Sequence, residues 1–275
     1  MAVEPTAQRG SPEAKLRRAE QHLHKLDSLV ERFVECKPYR LAFQSRKAQR
    51  HLPPPDIPHF DLIVRNVQPV PDEIGLVFGD FLTNLRASLD HLAWNLVLAS
   101  GGKPNERTAF PIKIKEPCAS GSGEVVPLKV SGDVSPEAMA LIERAQPYKR
   151  IQGEEPAVHP LWMLDRLVGI DKHRHLPFCM IGLSAITSFH PRGGVERVGT
   201  TWADIDPPRR LHDEAIVCTL AIDDPDEMDM DLEIAVDVAL AEQRPGIEGE
   251  PIRRLAEKLL EETRRVLDSL SPHTE

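Results

Sequence analysis

Apolar residues recur every three to four positions through much of this chain, and at alternate positions in a few later stretches. The first pattern predicts amphipathic helices and the second predicts strands. In residues 11–35, Leu16, Leu23, Leu26, Leu29, Val30 and Phe33 fall at helical spacing behind Ser11-Pro12-Glu13, a capping serine with proline at the first helical position. "VPDEIGLVFGDFLTNLRASLDHLAWNLVLASGG" (70–102) holds the clearest helix. It starts near Pro71-Asp72-Glu73 and stops at Gly101-Gly102. Its apolar residues lie on more than one face, as expected of a helix at the centre of a layer. Shorter helices are expected over 135–148, again behind Ser-Pro-Glu, and over 159–175. A final amphipathic helix is expected over 251–270, with opposite charges at helical spacing.

Strands are expected at 60–67, 176–189, 214–222 and 232–242. In the last, Leu232, Ile234, Val236, Val238 and Leu240 share one face while Glu233 and Asp237 share the other, which predicts a sheet with one wet side. "HLPPPDIP" (51–58) reads as a stiff connector, and 103–135 as loop-rich, with "CASGSGE" a surface excursion. Helices followed by strands define an α+β class: a helical layer around the long central helix, packed on a mainly antiparallel sheet from the C-terminal half. The expected organisation is a flexible 1–10 and one domain over 11–275. Its helical part runs to about 175, and the sheet and last helix span about 176–270. Strand 60–67 is expected to join the later strands and tie the halves together.

Composition narrows the partners. Acidic residues outnumber basic ones 43 to 34, a net charge of −9, which argues against broad DNA binding. Cys36, Cys118, Cys179 and Cys218 form no CxxC pair and are expected to be free thiols. No apolar run reaches the length of a membrane span, and the N-terminus lacks a signal-peptide core, so a soluble cytoplasmic protein without membrane partners is expected.

The candidate chemistry lies on the central helix, in "NLRASLDHLAWNL" (84–96). Asp80, Asn84, His91 and Asn95 fall near one stripe. Arg86 and Asp90, four apart, can form an ion pair along a neighbouring face. Arg86 and His91 stand about 140° apart on an ideal helix, so the arginine must reach round, or a second subunit must complete the pair. Arg86-x4-His91 resembles the Arg-x4–6-His signature of the HEPN family, although Ala87 stands where that family often has a polar residue. The resemblance implies a helical, dimeric, metal-independent ribonuclease with RNA as its partner. Arg86 would hold the scissile phosphate, and His91 would act as general acid or base. "NLRASLDHLAW", followed by "RTAFPI", "QPY", "HPLWMLDRL" and "DKHRH", is also similar to a group of uncharacterised bacterial proteins, a likeness that implies no activity.

"DKHRH" (171–175) ends a helix, where Lys172, His173, Arg174 and His175 suit the negative end of the dipole. Alternatively Asp171, His173 and Arg174 face the Arg86–His91 helix across a polar pocket, with Lys149, Arg150 and Lys172 as a phosphate patch. His91, His159, His173 and His175 with Asp80 or Asp171 offer metal-ligand types but no chelating spacing. Neither a metal nor a cofactor is expected. The acidic run 223–233 lacks the glycine and terminal glutamate of a calcium loop, and 190–199 is no P-loop. Trp94 and Trp162 read as core residues of their helices, and there is no aromatic platform for stacking bases. The competing reading is a non-catalytic ligand-binding or protein-interaction domain in which the same residues form a buried polar network. A nuclease requires His91 accessible from a cleft, with Arg86 pointing at the same cavity or across a dimer axis, whereas a structural network requires His91 buried and fully hydrogen-bonded.

Overall fold

The computed structural model describes residues 10–45, 59–119, 123–149, 155–174, 176–184, 196–198, 209–221 and 234–274. Helix α1 (Pro12–Glu35) begins as its sequence dictates: the Ser11 hydroxyl accepts the Ala14 N–H and Pro12 fills the first turn. Strands β1 (Arg40–Ser45) and β2 (His59–Arg65) pair antiparallel, Arg40 opposite Arg65 and Ser45 opposite Phe60. The connector expected at 51–58 lies outside the described residues. Helix α2 (Asp72–Ala99) follows, then α3 (Pro136–Arg144) and α4 (Pro160–Asp171). Next come β3 (Phe178–Ser184), β4 (Glu196–Val198), β5 (Arg209–Arg210), β6 (Ile216–Ala221) and β7 (Ala235–Leu240), and last α5 (Ile252–Leu270).

Helix α2 is the centre of the helical layer. Ile74, Phe78, Phe81, Leu82, Leu85, Leu89 and Leu92 are fully buried, and α1, α4 and α5 all pack on it. A helix apolar on several sides must be covered on several sides. Among the described residues the strands form two antiparallel sheets, where one was expected: β1-β2-β6-β4 and β5-β3-β7. As expected, β2 joins the later strands, through β6. A second core lies between the sheets, built from Leu62 and Val64 of β2, Val217 and Cys218 of β6, Met180 of β3 and Val236 of β7. The same strands reach the helical core through Val238 and Leu240, and Phe178 meets Phe78 edge-on with ring centroids 6.1 Å apart. The Tyr39 hydroxyl, just before β1, donates to the Ile234 carbonyl at 3.0 Å and links the first sheet to the start of β7.

The wet face expected on strand 232–242 is not found. Asp237 is 4% exposed, and Cys179, Ile181 and Ala239 beside it form a small buried cluster. The carboxylate is tolerated there because it is compensated. Arg253 of α5 lies 3.2 Å from Oδ2, and Oδ1 accepts the Val238 N–H at 2.8 Å. Residues 232 and 233, with the acidic run before them, lie outside the described residues. All four cysteines are free, Cys36 and Cys118 exposed and the other two buried. Among the described residues, no helix is long and apolar enough to cross a membrane.

Candidate functional site

Two pairs of polar residues on α2, Arg86 with Asp90 and His91 with Asn95, have different tasks. Arg86 and Asp90 form the ion pair their spacing allows, with Nη2 2.9 Å from Oδ1 and Nε 3.3 Å from Oδ2. Both then turn to one residue outside the helix. Arg86 Nη2 donates to the Phe110 carbonyl at 2.8 Å, and Asp90 Oδ1 accepts the Phe110 N–H at 3.0 Å. The third nitrogen, Nη1, is buried without a hydrogen bond and stands 3.4 Å from Asp165 Oδ1 on α4, an ion-pair contact. The Arg86 side chain is only 16% exposed. One guanidinium thus ties α2 to α4 and to the segment that carries the Phe110 ring into the core.

That segment lacks regular structure, so side chains must satisfy its backbone. Besides Arg86 and Asp90, Gln146 accepts the Lys113 N–H at 2.9 Å and donates to the Pro111 carbonyl at 2.9 Å. Thr108 donates to the Ser131 carbonyl at 2.6 Å and accepts the Asn105 N–H at 2.9 Å.

His91 and Asn95 face the chain's entry into α1. Asn95 Oδ1 accepts the Gly10 N–H at 2.8 Å while its amide nitrogen donates to the Gly10 carbonyl at 3.1 Å. His91 Nδ1 accepts the Ser11 N–H at 3.2 Å. Glycine at position 10 has a steric reason, since a Cβ there would lie 2.9 Å from His91. Asn84 does not join this group; its amide donates to the Asp80 carbonyl of its own helix at 2.8 Å.

Beside His91 opens a cleft of about 270 Å³, lined among the described residues by Gly10, Asp90, His91, Trp94 and Thr108. Arg86 is not one of them. Trp94 Nε1–H is buried and has no hydrogen-bond partner among the described residues. The ring nitrogens of His91 are assigned by their surroundings. Because Nδ1 accepts from Ser11, the proton of the neutral ring sits on Nε2.

The second constellation stands elsewhere. Asp171 does face α2, but at Gly79, where a Cβ would lie 2.7 Å from its carboxylate. Gly79 and His91 are twelve residues apart on α2, about 18 Å along the axis. His173 and Arg174 are exposed, with Arg174 paired to Glu242 at 2.7 Å. The backbone N–H groups of Lys172, His173 and Arg174 close the end of α4. Asp171, His173 and Arg174 are therefore not brought together with Arg86 and His91, and His175 lies outside the described residues.

Lys149 is held by Glu143 and Glu116, whose hydrogen bonds raise its pKa, and Arg150 lies outside the described residues. His159 is buried as the cap of α4, accepting the Leu161 N–H at 3.1 Å. No cluster of three metal-ligating side chains occurs among the described residues. Trp162 packs partly buried against the helical core, beneath the Arg166 guanidinium. The site is thus a small cleft on the central helix of an α+β protein. Neither family models, nor curated proteins, nor solved structures match the chain.

Proposed function

We propose that this chain is a non-catalytic ligand-binding protein whose recognition site is the His91–Trp94 cleft, and that Arg86 and Asp90 belong to its framework. One observation carries this reading: Arg86 is spent on Asp90, Asp165 and the Phe110 carbonyl, while His91 lines the cleft without it. An arginine that holds a scissile phosphate must present its fork to the ligand. Here two carboxylates lie against the guanidinium, which offsets its charge and repels a phosphate. His91 likewise spends one nitrogen on the Ser11 N–H, leaving Nε2–H as a donor toward a ligand. This reading requires neither RNA nor a second copy of the chain.

The test is RNA cleavage in EDTA by wild type, Arg86→Ala and His91→Ala, with folding of each checked by circular dichroism. The expected outcome is no cleavage by any of them. Cleavage by the wild type that both folded variants lose would instead establish the ribonuclease that the Arg-x4-His pattern implies.

A further inference from the structure

Three hydrogen bonds tie the entry of α1 to α2, and acid acts on them differently. Asn95 makes two, accepting the Gly10 N–H and donating to the Gly10 carbonyl, and a carboxamide does not titrate. His91 makes the third, its Nδ1 lone pair accepting the Ser11 N–H at 3.2 Å. That lone pair is where a neutral imidazole takes up its second proton. A protonated Nδ1 is a donor, and it would face another donor across a hydrogen-bond distance. The two sides meet closely, since a Cβ on Gly10 would lie 2.9 Å from the imidazole. The third bond thus exists only with the neutral ring, and protonation replaces it with a repulsion.

The surroundings of the ring act in the same direction. Ser11 is the cap of α1, a helix of 24 residues, so the ring meets the positive end of that helix's dipole, where a cation is disfavoured. Release takes the Ser11 N–H and that dipole away from His91 together. Asp90 lines the same cleft, but it stays on α2 beside His91 in either state, and Arg86 offsets its charge. Glu13, in the first turn of α1, is exposed and screened by solvent. Glu106 and Arg107, which precede Thr108 on the segment lining the cleft, are exposed and opposite in sign. The held entry and the protonated ring therefore exclude each other. We infer that protonation of His91 loosens Gly10 and Ser11 from α2, an acid-sensitive latch on the start of α1. Gly10 is one wall of the His91–Trp94 cleft, so the latch also governs how far that cleft opens. It works whether or not the cleft holds a ligand.

The test is amide hydrogen exchange by NMR on the full-length protein, from about pH 7.5 down to about pH 5, the range in which imidazole titrates. Exchange is expressed as protection against the rate of an unstructured peptide at the same pH, and the His91 ring signals are followed on the same samples. Protection of the Gly10 and Ser11 amides is expected to fall about tenfold as the pH drops, one hydrogen bond's worth. The midpoint of that fall should coincide with the titration of the His91 ring, while the amides of α2 keep their protection. His91→Gln puts a side chain there that does not titrate, and its protection at Gly10 should not change with pH. Protection in the wild type that is independent of pH overturns the latch, as does a fall that persists in His91→Gln. The wild-type curve decides the matter even if the variant misfolds: a midpoint displaced from that of the His91 ring, or an equal loss along α2, contradicts a latch worked by this histidine.

Discussion

Arg86 and Asp90, one turn apart on α2, hold the two backbone groups of a single residue. The guanidinium donates to the Phe110 carbonyl and the carboxylate accepts the Phe110 N–H. What looks in the sequence like half of a catalytic motif is thereby a clamp on a loop. Its two members should be energetically coupled. Arg86→Ala and Asp90→Ala are each expected to cost about 2–3 kcal/mol: the first leaves Asp90 without its cation and the Phe110 carbonyl without its donor, and the second leaves the Phe110 N–H without its acceptor and Arg86 with Asp165 alone. The double variant should cost less than the sum. Chemical denaturation of the four proteins checks this; strict additivity would mean that the clamp does not act as a unit.

The entry to α1 should loosen without global unfolding when its anchor is cut. Asn95→Ala removes both hydrogen bonds to Gly10, and Gly10→Ala drives a methyl toward His91. Each is expected to cost on the order of 1 kcal/mol. Amide exchange at residues 10–14 should speed up while exchange along α2 stays slow. Uniform acceleration across both helices would contradict a local anchor.

Asp27, on α1, gives a pH signature. Burial raises its carboxyl above the ordinary range, opposed by Arg253 and reinforced by Glu257 and Glu31. A carboxyl whose folded pKa is raised binds its proton more tightly in the folded state. Its ionisation therefore costs stability as pH rises through that folded pKa, and the cost is absent below the unfolded value. Asp27→Asn is expected to raise Tm at pH 7 and to lose that advantage toward pH 3. An advantage that grows on acidification would reverse the sign and contradict the assignment.

Thiol chemistry should follow burial. Cys36 and Cys118 are exposed; Cys179 and Cys218 are buried, and burial pushes the Cys179 thiol up. Ellman's reagent should label two thiols quickly and the other two only after denaturation. Rapid labelling of all four would contradict the packing of β3 and β6.

Local signals carried most of the fold. Ser11-Pro12 and Ser135-Pro136 start helices where they stand, and the long apolar run of 72–99 is the central helix. Strand β1 escaped notice because Leu41, Ala42 and Phe43 are consecutive and half-buried, with no alternation to read. Two sheets replaced one because strand pairing is decided by partners far along the chain. Asp237 looked like a solvent face because its partner, Arg253, is sixteen residues away on another element.

The same distance effect limits the site. The Arg86–Asp90 pair was legible from its spacing. Phe110, twenty residues beyond Asp90, and Gly10 and Ser11, some eighty residues before His91 and Asn95, were not. Gly10 was the one local hint, a glycine before the helix cap whose reason is the imidazole across from it.

The most direct measurement is equilibrium unfolding of Arg86→Ala beside wild type, with RNA cleavage assayed on the same samples. A loss of about 2–3 kcal/mol, with no cleavage by either protein, is the result expected of a framework arginine. Unchanged stability together with a ribonuclease activity that the variant loses would contradict it.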